Sequence, residues 1–279
     1  MRSESVGSLA KSQPTVVPAK AGTQCLRVRF ISKARGPAFA GTTGYMMRTS
    51  FRSTVLPLQT IELETAPNPR HAIIWLHGLG ADGNDFKPIV PELVDRAWAP
   101  IRFVFPNAPV RAVTINGGMR MRAWYDIRSP EIAAQQDVAG IRASIGEVET
   151  LIAREAERGI PSGRVILAGF SQGGAIVLAA GVRHAAKLAG VIALSTYLPM
   201  DGLTATERNA ANAAMPIFMG HGGYDPVVPQ ALGTLSRDAL VALGYEVEWH
   251  SYPMAHQVCP PEIGDLRAWI AKRLAAAPA

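Results

Sequence analysis

From about residue 54 onward, short apolar runs alternate with helix-length amphipathic stretches. The runs "AIIWLH" (72–77), "IRFVFP" (101–106), "RVILAG" (164–169), "GVIALS" (190–195), "PIFMGHG" (216–222) and "EVEWHSY" (246–252) are bounded by Gly, Pro or Ser, the pattern of buried strands. Between them, 85–98, about 130–158, 172–185, 204–214, 229–243 and 261–277 have helical length and spacing. The second of these puts Ile132, Val138, Ile141, Ile145, Val148, Leu151 and Ile152 on one stripe, and Gly159 stops it. Alternating strand and helix predicts the α/β class: a mostly parallel central sheet with helices on both faces, built as a single domain over 54–277. In such sheets ligand chemistry sits beyond the carboxyl ends of the strands, so the loops that follow each strand are the places to search.

The first 50 residues show neither period and are rich in Ser, Thr, Gly, Pro and Arg. They are expected to be a disordered or extraneous N-terminal extension; a start at Met46 or Met47, a transit peptide and a basic interaction arm are the competing readings. Mapping the charge changes the picture of a basic protein. Residues 1–53 carry nine Lys/Arg and one acid (9 − 1 = +8), so the net +6 leaves 19 − 21 = −2 for the rest. The body therefore lacks the electrostatic footprint of a nucleic-acid binder. Two cysteines, Cys25 and Cys259, make neither a disulfide framework nor a Cys-type zinc site, which fits a reducing, cytoplasmic compartment. No run approaches the ~18 apolar residues of a membrane span, and no stable membrane insertion is expected.

"HGLGADG" (77–83) spaces Gly78, Gly80 and Gly83 as G-x-G-x-x-G after a strand, the first half of a dinucleotide fingerprint. The second half is missing. The positions about 20 residues on, where a ribose-binding acid belongs, read Pro106, Asn107 and Ala108.

A more specific signal lies in "RVILAGFSQGGAIVLAAG". Strand, Gly169-Phe170-Ser171-Gln172-Gly173 and helix follow one another as in the G-x-S-x-G nucleophile elbow, which projects a serine hydroxyl above the sheet. Such a hydroxyl needs a base and the base an orienting acid, both later in the chain and both in loops after strands. His256, between the last strand and the last helix, meets that condition, whereas His250 falls inside the strand. Asp225 in "GHGGYDPVVP" follows one strand and precedes a helix opened by Pro229; Asp201 is the runner-up. Asp238, Glu246 and Glu248 fall within regular elements. The glycine loop at 77–83 then acquires a use, because the oxyanion formed on attack needs two amides, those of Gln172 and Leu79. His77 is expected to shape that loop by hydrogen bonding, and His71, His184 and His221 to be structural or surface residues.

These stretches together resemble the α/β-hydrolases of the carboxylesterase, lysophospholipase and acyl-protein thioesterase group. "LHGLGADGNDF", "FPNAPVRAVTINGGMRMRAWYDI", "GIPSGRVILAGFSQGGA", "LSTYLP", "GHGGYDPVVP" and "YPMAHQVCPPEI" occur in that family's order over about 71–270. The resemblance implies the α/β-hydrolase fold, a Ser171, Asp225 and His256 triad, and Leu79 and Gln172 as oxyanion donors. The chain departs from the family at Gly223-Tyr224, where a Tyr beside the acid is expected to narrow the pocket. The long segment 107–128, which has no regular pattern, carries Met119, Met121, Trp124 and Tyr125 after a strand's carboxyl end. Met121, Trp124, Tyr125, Tyr197 and Leu198, with Leu79, are expected to wall an apolar acyl group. The expectation is a carboxylesterase-type serine hydrolase acting on a small-molecule ester or thioester, needing no cofactor or metal, and compatible with a homodimer. Alternatives are lysophospholipase or acyl-protein thioesterase activity, another hydrolysis on the same scaffold, or a catalytically silent binding protein of this fold.

Overall fold

The computed structural model describes residues 58–132 and 134–276; the expected N-terminal extension at 1–50 lies outside the described residues. The elements run β1 (Thr60–Glu64), β2 (His71–Leu76), α1 (Val90–Leu93), β3 (Ile101–Pro106), β4 (Val110–Val113), β5 (Met119–Arg122), α2 (Val138–Glu157), β6 (Val165–Phe170), α3 (Gln172–Arg183), β7 (Gly190–Leu194), α4 (Asp201–Glu207), β8 (Ile217–Gly222), α5 (Gln230–Ala242), β9 (Val247–Tyr252) and α6 (Pro260–Ala276). Seven strands form one sheet in the order β1-β3-β2-β6-β7-β8-β9. β1 is antiparallel to β3, and the other pairings are parallel.

Side-chain alternation divides the core into two layers. On β2, Ile73 and Trp75 face one side with Phe103, Phe105, Ile166 and Phe218, covered by Leu93 of α1 and by Leu266, Trp269 and Ile270 of α6. Ala72, Ile74 and Leu76 face the other, covered by α2, α3 and Leu240 of α5. Both faces are thus closed by helices, which explains why the strands are continuously apolar.

All six expected strands form, but three expected helices are altered. Over 85–98 only a 3-10 turn (Lys87–Ile89) and the single turn of α1 appear, because Pro88 and Pro91 remove amide donors and Val94 is extended. The helix expected from about 130 begins at Val138, where the Asp137 carboxylate accepts the Gly140 N–H. Gln136, just before it, bridges back to Ile127. The stretch 204–214 divides into α4 and a 3-10 turn at Ala210–Asn212, since the Asn209 side chain accepts the Ala211 N–H and starts a new turn. The segment 107–128 is not patternless: it contains the β4–β5 hairpin, closed through Gly117 and Gly118, both at positive φ. Among the described residues no helix is long and apolar enough to cross a membrane.

Candidate active site

Five adjacent parallel strands, β2, β6, β7, β8 and β9, deliver five loops to one edge of the sheet and bring Leu79, Ser171, Tyr197, Asp225 and His256 there, while Met121, Trp124 and Tyr125 come from the segment after β3. Ser171 stands between β6 and α3 with φ 54 and ψ −121, a strained conformation for a residue with a side chain. Its backbone is held on both sides: the N–H donates to Leu194 O at 2.8 Å, and its carbonyl accepts the Thr196 hydroxyl at 2.7 Å. The turn also needs a close approach at Gly173, where a Cβ would stand 2.4 Å from Leu76 O and 2.6 Å from His77 O.

Ser171 Oγ lies 2.9 Å from His256 Nε2, and His256 Nδ1 lies 2.7 Å from Asp225 Oδ2. The other carboxylate oxygen of Asp225 accepts the Val227 and Val228 amides at 2.8 and 2.9 Å. The Asp225 side chain is fully buried while that of His256 is 16% exposed, so the acid is dry and the imidazole reachable from the cleft. Asp225 can only accept, so His256 carries its proton on Nδ1 and offers the Nε2 lone pair to the serine hydroxyl. An imidazole held in that way is the arrangement in which a serine oxygen becomes nucleophilic. Asp201 instead opens α4 and lines a different cavity, and His250 stacks on Phe218 in the sheet with its Nε2 3.1 Å from Glu248.

The loop after β2 folds as a support for the serine turn. His77 accepts the Ala108 N–H on Nε2 at 3.1 Å and donates from Nδ1 to Gly78 O at 2.7 Å, while its carbonyl accepts Trp124 Nε1 at 2.9 Å. Burial lowers its pKa, which keeps this doubly used ring neutral. It therefore shapes the loop, as expected, and brings Leu79 to the cleft beside Ser171.

That cleft, of about 60 Å³, is lined by Leu79, Tyr125, Ile127, Ile132, Tyr197, Val227 and Val228 together with Ser171 and Gln172. Three of the expected acyl-wall residues do not line it. Trp124 is 0% exposed, pinned by its bond to His77 O and packed in the core. Met121 lies on the hairpin with Sδ 3.3 Å from Asn116 Nδ2, and Leu198 lines the neighbouring cavity. Tyr224 is 75% exposed and does not line the cleft, so the expected narrowing does not occur; Val227, three positions on, takes the wall.

Several contacts escape sequence reading. Phe170 packs its ring 4.7 Å from that of His256. The Gln172 side chain accepts the Trp124 N–H and donates to Tyr125 O, both at 2.8 Å, tying the far wall to the residue beside the nucleophile. His221 donates from Nε2 to Val228 O at 2.8 Å and sits 3.6 Å from Asp225. Burial lowers its pKa too. Its i,i+4 spacing to Asp225 was the one available hint.

The sequence model of the phospholipase/carboxylesterase family matches residues 60–274, nearly all of the described chain. The chain belongs to the phospholipase/carboxylesterase family. This hydrolase is 38% identical over 234 residues to acyl-protein thioesterase 1 of Mycosarcoma maydis, covering 78% of this chain and 98% of that protein. It is 38% identical over 213 residues to acyl-protein thioesterase 1 of Saccharomyces cerevisiae, covering 74% and 93%. Its fold matches the crystal structure of Zea mays acyl-protein thioesterase 2 with a TM-score of 0.69 at 27% identity, over 78% of this chain and 99% of the other. The α/β-hydrolase fold that the motif resemblance implies is thus the fold of this chain, within the α/β class that the strand and helix alternation predicts.

Proposed function

We propose that this hydrolase cleaves carboxylic esters or thioesters with an apolar acyl group through an acyl-enzyme on Ser171. The observation that carries the reading is the unbroken chain of short contacts, Ser171 Oγ to His256 Nε2 at 2.9 Å and His256 Nδ1 to Asp225 at 2.7 Å. In this reading Oγ attacks the carbonyl carbon as its proton passes to Nε2. Asp225 stays ionised and stabilises the imidazolium. The Leu79 and Gln172 amides receive the oxyanion, aided by the N-terminus of α3. Collapse expels the alcohol or thiol with the proton from Nε2, and water then releases the acid by the same steps. The aliphatic lining of the cleft supports an apolar acyl group. The thioester half of the reading draws on the relatives, which are named acyl-protein thioesterases. The scarcity of cysteine supports a cytoplasmic setting.

The test is Ser171→Ala, assayed on a p-nitrophenyl ester and on an acyl thioester, with fluorophosphonate labelling alongside. Turnover is expected to fall on the order of a million-fold, as for comparable triads, with folding intact and labelling abolished. A variant that keeps a tenth of the activity would sink the assignment.

A further inference from the structure

Tyr197 belongs to two voids. It lines the cleft beside Ser171 and also a separate cavity of about 200 Å³, shared with Gln136, Leu198, Leu232, Ser236 and Ala239. Three segments of chain run from the first void to the second: Ile132 to Gln136, Tyr197 to Leu198, and Val228 to Leu232. Tyr197 is the one residue common to both linings. Its hydroxyl lies 3.0 Å from that of Tyr125, both rings are buried, and the Tyr125 carbonyl is held at 2.8 Å by Gln172, the neighbour of the nucleophile. The wall is therefore braced at a fixed distance from Ser171.

We infer that the Tyr125–Tyr197 pair is the end wall of the acyl cleft and limits this enzyme to short acyl groups, with the cavity behind it as the room a longer chain would enter once the wall is removed. This rests on the reading of Ser171 as nucleophile. The cleft beside Ser171, at about 60 Å³, is less than a third of the 200 Å³ cavity behind the pair, so an acetyl-to-butyryl group is the length taken up on the near side. A longer chain meets two buried rings whose hydroxyls are bonded to each other.

The experiment compares kcat/KM for p-nitrophenyl acetate, butyrate, hexanoate and octanoate in the wild type, Tyr197→Phe, Tyr197→Ala and Tyr197→Ala with Ala239→Phe. The wild type should decline beyond butyrate, and Tyr197→Phe should keep that cut-off because the ring remains. Tyr197→Ala should raise the hexanoate-to-butyrate ratio by about 15-fold, at roughly 4-fold for each methylene newly buried. Adding Ala239→Phe, which fills the rear cavity, should cancel the gain. Should Tyr197→Ala fail to fold, Tyr197→Leu gives the same ratio with less lost volume. Identical profiles in the wild type and the truncated variant, with both labelled by fluorophosphonate, would overturn this inference alone. So would a wild type that prefers octanoate. A wild type whose Ser171 takes no label would overturn the nucleophile assignment and this inference with it.

Discussion

Asp225→Asn isolates what the buried carboxylate does, because the structure dictates how the amide must sit. One oxygen of Asp225 accepts two amides, from Val227 and Val228, and the other accepts His256 Nδ1–H. An asparagine has one acceptor oxygen and one NH2. Turning the NH2 toward Val227 and Val228 would set donor against two donors and leave both amides unpaired, at about 1–3 kcal/mol each. Its oxygen therefore stays with those amides, and its NH2 faces His256. The imidazole must then accept on Nδ1 and carry its proton on Nε2, directed at Ser171 Oγ. It can no longer take the serine proton.

The expected loss in kcat is about 10⁴-fold, the size seen when a triad imidazole is forced into the wrong tautomer, or about 5.5 kcal/mol of transition-state stabilisation. KM and melting temperature should change little, because the loop keeps both amide bonds. Asp225→Ala is the informative contrast. It frees His256 from the wrong tautomer yet strands both amides in a dry site, so it should be the less stable of the two variants and no less active than Asn. Steady-state hydrolysis of p-nitrophenyl butyrate and thermal denaturation measure the two orders separately. An Asn variant that keeps a tenth of the wild-type kcat would refute the tautomer argument.

Two further predictions concern stability. Glu262, 0% exposed in the first turn of α6, finds among the described residues no well-formed side-chain hydrogen bond, and burial, offset only in part by the Cys259 backbone, raises its pKa from 4.5 to about 8. In the unfolded chain the group is ionised above about 4.5, whereas the folded protein holds the proton until about 8. Folding therefore takes up a proton across this window, and stability falls as pH rises through it, by up to about 1.4 kcal/mol per unit. Glu262→Gln should flatten the pH dependence of the denaturant midpoint between those values and exceed the wild type at pH 8; an unchanged slope would count against the buried, protonated state. Gly222→Ala should cost several kcal/mol and depress kcat further through His256, since its Cβ would stand 2.3 Å from Ala255 O and 2.5 Å from Met254 O. Urea denaturation and ester hydrolysis check this, and a variant within about 1 kcal/mol of wild type would show that the loops need not approach so closely.

The sheet was legible because its strands are buried on both faces, which leaves continuous runs such as "AIIWLH" that no surface element imitates. β1 was not, since "TIELE" is a partly exposed edge strand whose residues only alternate, and its pairing to β3 depends on a contact some forty residues away. Ser171, His256 and Asp225 could be read as candidates from motif and order, as each follows a strand of one parallel sheet, although order left Asp201 as a rival to Asp225. The acyl wall could not. Trp124 and Tyr125 are neighbours in sequence, yet one is spent on His77 and the other faces the cleft, a choice made by the Gln172 side chain bonding to both of their backbones. A side chain that selects between adjacent residues in this way leaves no periodic trace.

What converts a set of strand-end loops into a site is how closely they can approach, and two glycines carry that condition. Gly173 lets the loop carrying His77 and Leu79 rest its carbonyls against the start of α3, which sets the distance from Leu79 to Ser171. Gly222 lets the carbonyls of Met254 and Ala255 lie against the end of β8, which sets the distance from His256 to Asp225. In both places backbone meets backbone, so no side-chain rotation can relieve an added methyl group. Neither glycine touches a reacting atom, and only Gly173, which closes the G-x-S-x-G motif, stands out among the 26 in the chain. The chemistry of this site therefore depends on residues whose only contribution is the absence of a side chain, which is why motif order predicts its members more readily than its dimensions.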